Sequence, residues 1–269
     1  MENKVVSEYY NENVYTEWNR LKEHKLEFLF TVSIMEQHVK KGDRILDIGG
    51  GPGQYSLHFA AMECDVTLLD ISENELIFAE NRARENGLKI RTIHGDCTEP
   101  YLEGEKFDHI FLMGPLYHLK DDRLQKTAVE RALKHLKADG LLYCSFITNM
   151  AGVIHDLKYG PGRWMKNSKQ DCETLVNAIV NDVDYIGKSF TECRFMSPRS
   201  VLRFMKQFEL EQVHFFGQES IFAFNELQMN NFPEDELKSW IETGKKLLEI
   251  PEVVAASENV MYVGKKGEL

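Results

Sequence analysis

The sequence predicts an α/β protein with a doubly wound, mostly parallel β-sheet, an N-terminal helical segment and a lid insertion. Short apolar strand patterns alternate with helical patterns from residue 44 onward, and repeated βα units give parallel sheets with right-handed crossovers. The first strand runs into an acidic residue and a glycine-dense turn over residues 47–53, and the second strand ends in Asp70. Both features would lie at the carboxyl edge of one sheet, where nucleotide-like ligands bind.

Length and charge limit the classes of function. The chain has 269 residues, enough for one large domain or for one domain with a lid. It carries 32 Lys and Arg against 43 Asp and Glu, a formal net charge of -11. A broad phosphate-binding face is therefore unfavourable, and nucleic acid is not the expected partner.

The cysteines and the apolar segments predict a cytoplasmic protein. The five cysteines are an odd number without a C-x-x-C pair, which favours reduced thiols over a disulfide framework or a zinc site. The histidines and cysteines lack compact ligand spacing, so no metal is expected. The N-terminus is polar, and the longest apolar runs fall short of the roughly 20 residues that a membrane helix needs. No targeting or membrane segment is predicted.

Residues 1–40 are predicted to form a helical cap. Apolar side chains recur there at an approximate 3.6-residue spacing, which indicates one amphipathic helix packed on the main domain. Aromatic rings precede and join this stripe, and exposing them together would be costly. They are either core residues or residues that close over a ligand: Tyr9, Tyr10, Tyr15 and Trp18.

Residues 41–147 carry the βα rhythm. Helices are expected at about 54–62, 73–86 and 121–136, the second with Gly87 as its C-terminal cap and the third stopped by Asp139-Gly140. Strands are expected over 44–48, 65–70, 89–94, 107–113 and 141–147.

The rest of the chain divides into an insertion and a return to the sheet. Residues 148–196 break the rhythm with several glycines and one helix at about 172–182, which favours a substrate lid. Residues 197–269 are expected to complete the core, beginning with a helix that Ser197 caps and Pro198 starts. A strand near 211–216, a helix at about 234–248 and a last strand over 259–265 follow.

The glycine turn does not fit a dinucleotide fingerprint, because G-x-G-x-x-G read from Gly49 and Gly51 ends on Gln54. It fits D-x-G-x-G-x-G, with Asp47 and Gly53 as its outer members. This motif resembles motif I of the class I S-adenosylmethionine-dependent methyltransferases of the small-molecule type. The resemblance covers roughly residues 41–147 and implies a seven-stranded Rossmann-like sheet, S-adenosylmethionine as cofactor and S-adenosylhomocysteine as product.

Further residues follow the order of that family. Asp70 ends its strand about 20 residues after the glycine turn, where a carboxylate can accept both ribose hydroxyls; a helix N-cap is the other interpretation. The resemblance implies that Ile71 packs against adenine and that Asp96, beside Cys97, accepts the adenine amino hydrogens. Asp96 as a simple turn residue is the alternative. Met113 ends the fourth strand at the same edge and is included among the expected cofactor contacts.

The turn after the fourth strand bears on the acceptor. It reads Gly114-Pro115-Leu116-Tyr117, whereas enzymes that methylate amino groups of nucleic-acid bases carry Asn, Asp or Ser before Pro-Pro-Tyr. The acceptor for an exocyclic base amine is therefore missing. Together with the acidic charge balance, this favours a small-molecule acceptor.

A sulfonium methyl group is already electrophilic, so the expected role of the protein is to align the acceptor and exclude water. His118 is the candidate base and Tyr117 the candidate orienting hydroxyl, with local packing or capping as the alternative for His118. Two other classes remain open: a nucleotide-dependent oxidoreductase and a noncatalytic module that binds S-adenosylmethionine. The sequence does not predict the oligomeric state. Candidate acceptor contacts are Tyr10, Tyr15, Trp18, Arg163 and Trp164.

Overall fold

A computed structural model of the protein describes residues 2–99, 102–160, 169–189 and 191–267. These described residues contain nine strands in chain order: β1 Arg44–Ile48, β2 Asp65–Asp70, β3 Arg91–His94, β4 Phe107–Leu112, β5 Leu136–Ile147, β6 Tyr185–Lys188, β7 Glu192–Phe195, β8 Leu210–Gly217 and β9 Asn259–Lys266. The α-helices are α1 Glu2–Glu23, α2 Lys25–Met35, α3 Gln54–Ala61, α4 Glu73–Glu85, α5 Asp122–His135, α6 Ala151–Tyr159, α7 Lys169–Val180, α8 Pro198–Met205, α9 Glu226–Met229, α10 Glu234–Lys245 and α11 Pro251–Val254.

Seven strands form one sheet in the order β3-β2-β1-β4-β5-β9-β8. The five strands from β3 to β5 are parallel, and β9 and β8 join them antiparallel. The predicted seven-stranded, mostly parallel sheet is therefore confirmed. The strand order reverses between β1 and β4, and this reversal opens a crevice at the carboxyl ends of the strands.

The sheet is buried on both faces. Leu46 and Ile48 of β1 belong to one apolar cluster, whereas Ile45 of the same strand belongs to another. Side chains of a strand point alternately to its two sides, so these neighbours reach opposite layers. Burial on both sides explains why β1 is an almost continuous apolar run instead of an alternating one.

The N-terminal segment differs from the predicted single helix. It forms α1 and α2, with a break at His24, and α1 itself is kinked at Asn13, where φ is -117°. The apolar spacing was compatible with one helix, because a short break between two helices hardly disturbs a 3.6-residue pattern. No helix in the described part of the chain is both long and apolar enough to cross a membrane.

Several predicted boundaries also shift. The helix expected to run to residue 136 ends at His135, and β5 begins at once at Leu136 instead of after Gly140. Asp139 adopts a φ of +60° within that early part of β5. Residues 148–196 contain α6, α7 and an antiparallel hairpin of β6 and β7, and neither α6 nor the hairpin was predicted.

Two caps occur as predicted. Gly87 follows α4 with φ +67°, the left-handed conformation typical of a glycine after a helix. The Ser197 hydroxyl accepts a hydrogen bond from the Ser200 amide at 3.0 Å, and Pro198 occupies the first position of α8. The local sequence signals thus predicted both of these helix ends correctly.

Candidate functional site

The turn between β1 and α3 requires glycine for two reasons. Gly49, Gly51 and Gly53 have φ values of +69°, +56° and +84°, in the left-handed region that favours glycine. A Cβ atom on Gly49 would also lie 2.5 Å from the Pro115 ring. The turn therefore brings its backbone close to the segment that follows β4.

Asp47 is buried under this turn, with 1% of its surface exposed. Its Oδ2 atom accepts a hydrogen bond from the Ser56 hydroxyl at 2.7 Å, while Oδ1 has no hydrogen-bond partner among the described residues. Burial raises the pKa of Asp47 to about 7. A Cβ on Gly50 would lie 2.4 Å from Oδ2, so glycine at that position leaves room for the carboxyl group.

Asp70 holds the turn from the neighbouring strand. Its Oδ2 accepts from the Gly51 amide at 2.9 Å and its Oδ1 from the Ser72 amide at 2.8 Å. Burial raises the pKa of Asp70, and these backbone hydrogen bonds oppose the shift. The cap of α4 is Ser72, whose hydroxyl accepts from the Glu75 amide, so the N-cap interpretation of Asp70 is wrong.

The other predicted cofactor contacts lie around the same crevice. Ile71, Asp96, Cys97 and Met113 all line it. Asp96 also behaves as a turn residue, because its Oδ1 accepts from both the amide and the hydroxyl of Thr98. Burial raises the pKa of the Cys97 thiol, which keeps it protonated at neutral pH.

A cavity of about 1170 Å³ extends from the glycine turn to α1, α6 and the β6–β7 hairpin. This exceeds the usual volume of a pocket for one small ligand, roughly 300 to 1,000 Å³. Among the predicted cofactor contacts, Gly53 alone does not line this cavity. A Cβ on Gly53 would lie 3.0 Å from the Cβ of Ala79, so this glycine permits close packing of α3 on α4.

His118 and Tyr117 both line the cavity, as does Tyr10. The Nε2 atom of His118 lies 2.8 Å from the Tyr10 hydroxyl, and its Nδ1 lies 3.0 Å from the Thr191 hydroxyl. Burial lowers the pKa of His118 to about 4, so the imidazole is neutral near pH 7. Burial also raises the pKa of Tyr117.

Two of the predicted acceptor contacts lie elsewhere. Tyr15 is 73% exposed and packs edge-on against Phe78, outside the cavity lining. The Trp18 ring contacts Phe78 and lies under the Arg82 guanidinium at 4.9 Å, and it does not line the cavity either. Arg163 and Trp164 lie outside the described residues.

Sequence reasoning missed a group of charged residues on the cavity wall. Two of them, Glu17 and Arg20, follow Tyr10 on α1 and lie on one face of that helix, and Glu27 lies on α2 after the break. The fourth, Glu75, is the third residue of α4 in the pattern S-x-x-E, which marks a helix start.

The chain is similar to known methyltransferases in sequence. Residues 45–140 match a family described as a methyltransferase domain. Over 163 residues the chain is 33% identical to the ubiquinone biosynthesis O-methyltransferase of Dinoroseobacter shibae, covering 56% of this chain and 64% of that protein. Over 225 residues it is 23% identical to the glycine/sarcosine N-methyltransferase of Aphanothece halophytica, covering 81% and 80%.

The fold is similar to that of solved structures. A crystal structure of an S-adenosylmethionine-dependent methyltransferase from Clostridium acetobutylicum aligns with a TM-score of 0.60 at 14% identity, over 94% of this chain and 99% of that chain. A sequence identity of 14% supports only the conclusion that the two proteins share a fold. The chain spans between 42% and 64% of the length of three ubiquinone biosynthesis O-methyltransferases that it matches.

Proposed function

We propose that this chain is a class I (Rossmann-like) S-adenosylmethionine-dependent methyltransferase and that it transfers the methyl group of S-adenosylmethionine to a small-molecule acceptor, which the match of residues 45–140 to the methyltransferase domain family supports. The observation that carries the proposal is the single cavity that joins the glycine turn to the wall formed by α1 and the β6–β7 hairpin. One cavity of that extent can hold cofactor and acceptor side by side. S-adenosylhomocysteine is the expected product.

The residues present fit this cofactor. Asp47 lines the cavity, and its Oδ1 atom, which has no hydrogen-bond partner in the described parts of the chain, can accept a hydrogen bond from a bound ammonium group. Gly49 and Gly51 have positive φ values and line the cavity, so this turn can present its backbone to a ligand. Asp70 keeps lone pairs for ribose hydroxyls beside its two backbone hydrogen bonds. Ile71, Asp96, Cys97 and Met113 are the proposed contacts to the base end.

When bound, S-adenosylmethionine would supply an electrophilic methyl group for in-line attack by an acceptor lone pair, with the carbon–sulfur bond breaking as the new bond to carbon forms and its electron pair left on sulfur. The protein's part is to orient the acceptor and exclude water. Because His118 is neutral and contacts the hydroxyls of Tyr10 and Thr191, we propose that it positions Tyr10 at the cavity wall. Tyr117 remains the proposed orienting group for the acceptor.

The partner and location belong to the same proposal. The acidic charge balance supports a small molecule over nucleic acid as the acceptor. All five cysteines carry free thiols, which supports the cytoplasm as the location.

Calorimetric titration of the full chain with S-adenosylhomocysteine tests the cofactor, with NADH as the comparison ligand. We expect binding of the former alone. NADH binding alone would favour an oxidoreductase, and binding of S-adenosylhomocysteine without turnover on any acceptor would favour a noncatalytic binding module.

A matched pair of variants on β2 sharpens this titration. Asp70→Ala removes a carboxylate from the cavity wall and should weaken S-adenosylhomocysteine by about 1 to 3 kcal/mol, the usual worth of hydrogen bonds to a charged group. Asp65→Ala removes a carboxylate that is 67% exposed at the other end of the strand and should leave the affinity unchanged. Equal affinities for both variants, each folded by circular dichroism, would contradict the assignment of Asp70.

A further inference from the structure

The cavity wall has a strong excess of acidic groups. Among the described residues that line it, ten are Asp or Glu, and the lysines and arginines are Arg20 and Lys188. Lys188 is exposed on β6. Three of these acids belong to the end of the cavity proposed for the cofactor, Asp47, Asp70 and Asp96, and two others contact lysines, Glu192 with Lys120 and Glu258 with Lys158. The acids in the part that remains for the acceptor are Glu17, Glu27, Glu75, Asp156 and Asp171.

Arg20 does not offset this excess. Its two terminal nitrogens bind the two carboxylate oxygens of Glu27 at 2.7 and 3.2 Å, a bidentate pair. Its Nε atom lies 3.7 Å from Glu17. One guanidinium therefore faces two carboxylates, and the group as a whole carries a negative charge when both are ionised.

Glu17 is the carboxylate left with the weaker contact. Its side chain is 14% exposed, and burial raises its pKa although Arg20 opposes the shift. A buried charge with incomplete compensation favours a ligand that brings the opposite charge. Glu17 lines the cavity, so such a ligand can reach it.

Glu75 is a second buried carboxyl group on the cavity wall whose hydrogen bonding is incomplete among the described residues. Glu75 is 1% exposed and lines the cavity, and its Oε1 atom has no hydrogen-bond partner among the described residues. Burial, together with the charges of Asp70 and Glu17, raises its pKa to about 10. Glu17 and Glu75 line the same cavity.

Two tyrosine rings line the cavity together with Glu17. The rings of Tyr10 and Tyr117 lie 5.5 and 4.7 Å from that of His118, measured between centroids, and both tyrosines line the cavity. The charge of Glu17 contributes to the raised pKa of each tyrosine, and all three residues line the same cavity. A carboxylate together with aromatic faces is the surrounding that an organic ammonium group prefers.

We propose that the acceptor is an amine that binds as its ammonium ion at Glu17, beside the rings of Tyr10 and Tyr117. The nitrogen gives one proton to the Glu17 carboxylate before its lone pair accepts the methyl group. The inference rests on the proposed methyltransferase function and names the chemical class of its second substrate. Leu21, Ile147, Leu175 and Phe195 supply apolar wall in the same cavity, so the amine is expected to carry an apolar body.

The test is calorimetry on the full chain saturated with S-adenosylhomocysteine at pH 7.5. The probes are primary alkylamines from ethyl to octyl and 2-phenylethylamine, each compared with the alcohol and the carboxylate of the same carbon skeleton. We expect at least one amine to bind at least tenfold more tightly than its alcohol and the carboxylates to bind more weakly still. No amine preference anywhere in the series, or tighter binding of the carboxylates, would overturn the inference.

Variants of Glu17 connect the preference to the residue. Glu17→Gln should reduce the affinity for the best amine at least tenfold and leave its alcohol unchanged, whereas Glu17→Asp should retain the preference. Glu12→Gln removes an exposed charge from the same helix and should behave as the unaltered protein. An amine affinity that Glu17→Gln does not change would overturn the assignment of Glu17.

The two proposals fail separately. If S-adenosylhomocysteine does not bind, the proposed methyltransferase function is wrong. If it binds with equal affinity to the unaltered protein and to Glu17→Gln while no amine is preferred, the amine site alone is wrong.

Discussion

At the scale of single residues, burial decides the charge state of the cavity. The carboxyl groups of Asp47 and Glu75 are each 1% exposed and each has one oxygen without a hydrogen-bond partner among the described residues. Water-free surroundings disfavour the ionised form of a carboxyl group, which raises both pKa values. His118 responds in the opposite direction to the same cause, because its charged form is the protonated one.

Glu75 therefore predicts how stability depends on pH. Its pKa rises from 4.5 to about 10 on folding, so the folded state holds a proton that the unfolded state has lost throughout that range. The contribution of Glu75 to the free energy of unfolding must then fall as the pH increases between these values. Glu75→Gln removes this contribution, and its stability relative to the unaltered protein should increase by up to about 1.4 kcal/mol per pH unit.

Urea unfolding of both proteins at pH 5.5 and pH 7.5, without cofactor, measures this change. The control is Glu73→Gln in the same first turn of α4, where the side chain is 70% exposed. A stability difference between Glu75→Gln and the unaltered protein that is the same at both pH values would show that Glu75 is ionised in the folded state.

At the scale of elements, α1 is attached to α4 by a small set of polar contacts. The Oδ1 atom of Asn11 accepts from the Ser72 hydroxyl at 2.8 Å and from the Asn74 amide at 3.1 Å. The Asn74 side chain donates back to the Asn11 carbonyl at 3.0 Å. These bonds anchor the kinked part of α1 next to the strand end that carries Asp70, and so they fix the wall of the cavity.

Asn11→Ala should loosen α1 without unfolding the domain. It removes two accepted hydrogen bonds, each worth about 1 kcal/mol, so hydrogen exchange over residues 4–20 should become faster while exchange in β1 stays protected. Asn19→Ala is the matched control, because Asn19 is an exposed residue of the same helix. Its side-chain amide donates to the Tyr15 carbonyl and accepts from Lys22, both within one turn of α1. Equal exchange in the two variants would mean that Asn11 does not anchor α1.

At the scale of the whole molecule, a buried ion cluster connects distant parts of the chain. Lys158 of α6 contacts Glu226 at 2.9 Å and also contacts Glu258. The Lys158 side chain is 1% exposed and that of Glu226 is fully buried. His24, at the break between α1 and α2, lies 3.0 Å from Glu226. The cluster thus joins the insertion, the C-terminal part and the N-terminal helices.

Lys158→Met should destabilise the protein by about 3 to 5 kcal/mol, because it leaves buried carboxylates without their cation. Urea unfolding measures the loss. Lys169→Met provides the comparison, since the Lys169 side chain is 91% exposed, and it should change the free energy of unfolding by less than about 0.5 kcal/mol. Similar stabilities for the two variants would mean that the cluster is neutralised in another way, for example by protonation of its carboxyl groups.

The sequence by itself determined the sheet, the order of its parallel strands along the chain and the residues around the glycine turn. These features depend on local chemistry: apolar runs, positive φ values at glycine and acids at strand ends. The break at His24 and the β6–β7 hairpin were not predictable in the same way, because helical periodicity continues across a short break and each hairpin strand has only four residues.

Only the tertiary structure decided which side chains share the cavity. Tyr10 and Tyr15 look alike in sequence, yet the first contacts His118 and the second is exposed. Glu17, Arg20 and Glu27 form one group because two helices meet near His24. Such choices depend on long-range packing and on the free energy of burying charge, which are properties of the folded molecule and have no local signal in the sequence.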